Sequence, residues 1–165
     1  MAPEEKLSIL EANLSRQLQW IGSADSKSNF IFTISIAMLG LLAAVAPANV
    51  AAWSFFPALF SVATITLVSG AVFCAAHTVF PRTDGPVSSL IYCGSIADCG
   101  IKVFRDRINA LQNAEYIDDL TVQCFRNASI ANEKFRWVKR GMSFLYASAL
   151  PWALATWLLY QSTTK

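Results

Sequence analysis

NFIFTISIAMLGLLAAVA (29–46), SFFPALFSVATITLVSGAVFCAAHTV (54–79) and GMSFLYASALPWALATWLLY (141–160) contain no Asp, Glu, Lys or Arg. A hydrocarbon core about 30 Å thick takes about 20 helical residues to cross, and one charge at its centre costs on the order of 2.5–3.5 kcal/mol. The charge-free interval between Lys27 and Arg82 accommodates two crossings, and the one after Arg140 accommodates a third. The whole composition agrees: 55% of the 165 residues are hydrophobic and 15% charged, against roughly a quarter charged in soluble domains. These features predict an all-α membrane protein with three transmembrane helices, a tight hairpin plus a C-terminal span, and a helical module outside the bilayer.

Working outward from the spans, the basic residues set an orientation. Lys6, Arg16 and Lys27 precede the first span, nine bases lie from Arg82 to Arg140, and the loop between the first two spans has none. The positive-inside bias then places the N-terminus and the middle segment in the cytoplasm and the C-terminus outside, a multi-pass arrangement. The expected segments are a cytoplasmic amphipathic helix over 1–28, the hairpin over 29–79, a cytoplasmic helical module over 80–140, and the third span with a short outer tail over 141–165. A cleavable leader fits less well, because Ala46-Pro47-Ala48 follows a long, acid-containing segment rather than a short basic one. The net charge of +2 gives no reason to expect nucleic-acid binding.

Within those segments, Glu4 and Glu5 suit a helix N-terminus. Leu7, Leu10, Leu14, Leu18 and Ile21 recur at spacings of three and four, predicting an amphipathic helix that ends near Gly22 or runs on into the first span. Small residues at Ala37, Gly40 and Ala44, and at Ser61, Ser69 and Gly70, predict close helix approach in lipid, with Gly40 and Ala44 as the tight contact. Pro81, Asp84, Gly85 and Pro86 carry turn chemistry. The stretch from Ser88 to Gly100 reads neither as helix nor as loop, whereas Val103, Phe104, Ile108 and Leu111 predict another amphipathic helix. A last long helix begins near Ala114 and continues into the third span, with Pro151 as a kink site.

No catalytic constellation is present. With one histidine, His77, and no P-loop, G-x-S-x-G or glycine-rich nucleotide turn, the sequence predicts a protein that is not an enzyme. Cys74, Cys93, Cys99 and Cys124 lack the paired spacing of a zinc site, so neither a metal nor a resident cofactor is expected, and the cysteines read as free thiols. Two polar features stand out. Asp25-Ser26-Lys27 sits just before the first span, where Lys27 could snorkel and Asp25 cap or pair. A stripe of Tyr116, Leu120, Gln123, Asn127, Ile130 or Ala131, and Lys134 runs along the last helix, with more hydrogen-bonding capacity than a packing face needs. It could line a polar pocket or pair with Asp25. Arg105, Arg107, Arg126 and Arg136 add phosphate-binding capacity nearby.

The segment W-I-x-x-A-D-S-K-S-N from Trp20 to Asn29, the S-L-I-Y-C-G-x-I stretch from Ser89 to Ile96, and Glu115-Tyr116, Gln123 and N-x-x-I-A-x-x-K from Asn127 to Lys134 resemble the Pycsar transmembrane effector family. The resemblance spans nearly the whole chain. It implies an antiviral-defence effector of the bacterial inner membrane that senses a cyclic pyrimidine nucleotide, cyclic UMP or cyclic CMP, made by a partner pyrimidine nucleotide cyclase. It further implies that the effector impairs the membrane and causes abortive infection. A homo-oligomer of more than two chains is expected separately, because one phosphate and one base supply too little energy to switch a lone chain. The ligand residues expected on this basis are Asp25, Lys27, Tyr116, Gln123, Asn127 and Lys134, although no glycine-rich phosphate cassette is present. The competing reading is a scaffolding subunit of a membrane complex that binds no nucleotide. A transporter ranks lower, since the spans carry no ionisable residue apart from His77.

Overall fold

The computed structural model describes residues 2–49, 53–81, 85, 86 and 88–163. Asp84 and Arg82, the middle of the first interspan loop and Lys165 lie outside them. The described residues form four helices in the order α1 (Pro3–Val45), α2 (Phe55–Val79), α3 (Cys93–Ala110) and α4 (Asn113–Thr163), without a strand. Three of them, α1, α2 and α4, are long and apolar enough to cross a membrane. By compactness the chain divides into two units, Met1–Ser23 with Pro81–Glu133 and Ala24–Phe80 with Lys134–Lys165.

Local chemistry explains the helix limits. Pro3 opens α1, where its missing N–H costs nothing, and Glu4 and Glu5 occupy the first turn against the positive end of the helix dipole. The helix does not stop at Gly22 but continues to Val45, the second of the two expected courses. The segment that resisted reading resolves into a turn at Ser88–Tyr92 followed by α3, which bends at Gly100. There φ is +73°, a conformation that glycine adopts without a Cβ penalty.

In the second unit each helix buries residues at alternating spacings of four and three. On α1 these are Ala24, Ser28, Ile31, Ser35, Met38 and Leu42. On α2 they include Pro57, Ser61, Thr64, Val68, Ala71, Ala75 and Thr78, and on α4 Lys134, Val138, Gly141, Leu145 and Ser148, then Ala155 and Leu159. This 3.5-residue period is the signature of a left-handed supercoil. Contacts fix the directions. Asp25 meets Lys134 and Met38 meets Ser148, pairs 109 and 110 positions apart, so α1 and α4 run parallel and in step. Gly141 faces Ile31 and Cys74, whereas Gly70 faces Phe144, so α2 runs against α4.

The tight point is Gly141. A Cβ there would lie 3.1 Å from Ile31 Cδ1 and 3.3 Å from Cys74 Cβ. The expected contact at Gly40 is not found: its missing side chain would meet nothing within 4 Å, because Gly40 lies off the 3.5-residue seam. Leu18 is likewise off the seam and 54% exposed, its place being taken by half-buried Gln17. Large apolar side chains such as Phe30, Phe32, Ile36, Val62 and Leu150 point outward, as lipid-facing residues do.

Gly141→Ile is expected to lower stability by about 1–3 kcal/mol through overpacking, and Gly40→Ile to change it by less than about 0.5 kcal/mol. Thermal melts of both variants in one detergent check this ordering.

Candidate functional site

In the first unit the chemistry gathers around the turn before α3. The Ser89 hydroxyl accepts hydrogen bonds from the Ile91 N–H (3.0 Å) and the Tyr92 N–H (2.9 Å), satisfying donors that the chain direction leaves open. Asp119 on α4 accepts from the Leu90 N–H at 2.8 Å, Gln123 Nε2 donates to the Ser89 hydroxyl at 2.9 Å, and the Arg107 guanidinium donates to the Ser88 carbonyl. All five residues from Ser88 to Tyr92 are therefore held by side chains of α3 and α4 or by Ser89 itself. Gln123 is 5% exposed, and its amide serves this turn.

Beside the turn is an open cleft of about 450 Å³, lined by Glu11, Ser15, Gln19, Ile91, Tyr116 and Leu120 among others, within the size range of small-molecule sites. Tyr116 offers an aromatic face, and Glu11, Ser15 and Gln19 offer hydrogen-bonding groups. Burial, then the Glu11 carboxylate that accepts its hydrogen bond, then Asp119 push the Tyr116 phenol above its ordinary value, so it stays a neutral donor at physiological pH. A smaller cavity of about 260 Å³ is lined by Glu115, Asp118 and Asp119 together with Arg107. Its carboxylates make it unsuited to phosphate. Cys124 Sγ contacts the Leu10 carbonyl at 3.4 Å, and burial raises its thiol pKa, so it is a packing thiol and not a reactive one.

In the second unit the polar centre is an ion pair. Lys134 Nζ lies 2.5 Å from Asp25 Oδ1, with side-chain exposures of 9% and 36%. The pair joins α4 to α1 at the end of the seam, one turn from the Ser28 hydroxyl, which is buried without a hydrogen-bond partner. Nearby, the Lys27 ammonium lies 5.1 Å from the Phe135 ring centroid, a second link between the same helices.

The expected ligand residues thus fall into two groups. Tyr116, Gln123 and Asn127 belong to the first unit, with Asn127 half-buried. Asp25, Lys27 and Lys134 belong to the second, where the structure brings Asp25 and Lys134 into contact. Between the two alternatives on the stripe, Ala131 is the buried one. Sequence reading missed Ser89, Asp119 and Glu11. A serine shortly before a helix was a usable capping signal, whereas Asp119 and Glu11 carry no local signal because their partners are distant in sequence. Among the described residues no cluster of His, Cys, Asp and Glu is arranged to hold a metal.

The profile of one protein family, described as the Pycsar effector protein domain, matches residues 9–160. No curated protein and no solved structure matched the chain.

A raised phenol pKa means that the folded state binds the Tyr116 proton more tightly than the unfolded state does. The associated stability is present below the ordinary phenol value of about 10 and is lost as pH rises through the folded value. Ultraviolet difference titration of the wild type against Tyr116→Phe should show Tyr116 ionising late, and Glu11→Gln should bring it back toward the ordinary range.

Proposed function

The chain belongs to the Pycsar effector family, membrane effectors of anti-phage defence linked to a cyclase and its cyclic pyrimidine signal, and we propose that this protein is both receptor and executor of that signal. In this reading the N-terminus and the module between the second and third spans face the cytoplasm, with membrane borders near residues 28 and 140. A cyclic pyrimidine mononucleotide enters the module, and the membrane helices move into an arrangement that impairs the inner membrane.

The observation that carries this reading is the Asp25–Lys134 pair. A lysine at 9% exposure needs a counter-charge, and breaking such a pair is strongly unfavourable when nothing replaces the lost partner. A cyclic phosphate is a replacement partner of the same sign as Asp25. It would hold Lys134 only after the Asp25 contact has opened, which gives the ligand the differential affinity that any conformational switch requires. The buried, unpartnered hydroxyls of Ser28, Ser35 and Ser61 make the closed seam less than fully satisfied, and each such group costs about 1–3 kcal/mol. Helix α4 carries Tyr116 and Lys134 and continues to Thr163, so the proposed ligand residues and the third span are consecutive in one helix.

Moving such an equilibrium from about 1% to 99% active takes about 5.5 kcal/mol, more than one phosphate and one base supply to a single chain. Several sites in a homo-oligomer would supply it. The uncovered Ile101, Val103, Ile108 and Phe125 of the first unit are consistent with assembly.

Lys134→Ala should abolish phage protection by more than about 100-fold while membrane insertion is retained, as expected for loss of a buried charge-assisted contact worth about 3 kcal/mol or more. Efficiency of plating measured beside membrane fractionation checks it. Wild-type protection by this variant would remove Lys134 from the mechanism.

A further inference from the structure

The second unit carries a further groove that the nucleotide reading does not use. It lies between α2 and α4, has a volume of about 540 Å³, and is lined by Leu67, Arg136, Lys139, Arg140, Ser143, Phe144 and Ala147. Its lining has three cations and no carboxylate. Among the described residues none of the three is engaged in an ion pair. Arg140 is instead held over the Trp137 ring at 4.9 Å, and Trp137 stacks on His77 with centroids 4.5 Å apart and planes 10° apart. A guanidinium fixed by an aromatic face keeps its N–H donors for an anion.

Polarity changes along the groove in one direction. Arg136, Lys139 and Arg140 come first, then the Ser143 hydroxyl, then Phe144 and Ala147, with Leu67 opposite on α2. From Arg136 to Ala147 is eleven helical steps, about 16 Å at 1.5 Å each, comparable with half of a hydrocarbon core about 30 Å thick. Phe144 is seated by Gly70, whose missing Cβ would lie 3.2 Å from the ring, so the apolar floor is built by both helices. A free anion would need the cations but not the floor. A neutral lipid would need the floor but not the cations.

We propose that this groove binds one anionic phospholipid, its headgroup phosphate held by Arg136, Lys139 and Arg140 and the start of an acyl chain lying over Phe144, Ala147 and Leu67. Basic pockets beside membrane helices recognise anionic headgroups in this way. Binding here would make the helix packing sensitive to the lipid composition of the membrane, independently of any nucleotide.

The full chain reconstituted in phosphatidylcholine nanodiscs, with and without phosphatidylglycerol, tests this through lipid retention in native mass spectrometry and through the melting temperature. Phosphatidylglycerol should be retained at about one lipid per chain and raise the melting temperature. Changing Arg136, Lys139 and Arg140 together to Gln should weaken retention on the order of 100-fold, from about fivefold per cation, without altering the melt in pure phosphatidylcholine. Ala147→Trp, which fills the floor and keeps every charge, should also reduce retention. The proposal is overturned if inorganic phosphate gives the same stabilisation as the lipid, if removing Lys102 and Arg105 weakens retention as much, or if phosphatidylglycerol is not retained.

Discussion

Helices surrounded by lipid have no hydrophobic reason to stay together, since a lipid tail is as good a neighbour for leucine as another leucine. What holds α1, α2 and α4 in the second unit is close approach along a seam of small residues repeating every 3.5 positions, tightest where Gly141 meets Ile31 and Cys74. Dispersion between closely packed atoms supplies the attraction, which explains why Ala, Ser, Thr and Gly alternate with Ile, Val, Met and Leu along the seam while side chains such as Phe30 and Phe32 face outward. Few directional bonds help. Trp152 Nε1 donates to the Met38 carbonyl at 3.0 Å, but Thr64, Thr78 and Ser148 bond to their own helices.

The Asp25–Lys134 pair is the exception to this pattern and gains its importance from it. It is a directional, charge-dependent link between helices joined mainly by apolar contacts. Because it sits where α1 and α4 leave one unit for the other in sequence, residues proposed to recognise a ligand and residues that pack the second unit share its two helices. The family's tie to a cyclic pyrimidine signal gives such a link a natural competitor in the form of a phosphate.

Much of this was legible in the sequence, for reasons that particular residues make plain. The spans could be read because charge is excluded from hydrocarbon, and the pairing of Lys134 with Asp25 could be foreseen as one option because Lys134 ends a polar stripe and Asp25 sits just before the first span. The register could not. Over the short run from Leu7 to Ile21, spacing alone does not decide between Gln17 and Leu18, and hydrophobicity favours the wrong one. Only continuation of the seam through Ala24, Ser28 and Ile31 places Gln17 inside. Gly40 misled for a related reason, since a small residue signals close approach only when it faces a helix. At Ser88–Tyr92 the local part, Ser89 accepting from Ile91 and Tyr92, left a capping signal, but the bonds with Asp119 and Gln123, 29 and 34 positions away, left none.

The central claim is that Asp25 and the ligand phosphate compete for the same ammonium group. Calorimetry of cyclic UMP and cyclic CMP binding to Asp25→Asn in detergent tests it most directly, because the sign of the effect is diagnostic. If Asp25 is the resting counter-ion, removing its charge relieves the competition, and the activating nucleotide should bind about tenfold more tightly than to the wild type, a gain of about 1.4 kcal/mol. Weaker or unchanged binding to Asp25→Asn would contradict the account, since it would make Asp25 a ligand contact or a bystander.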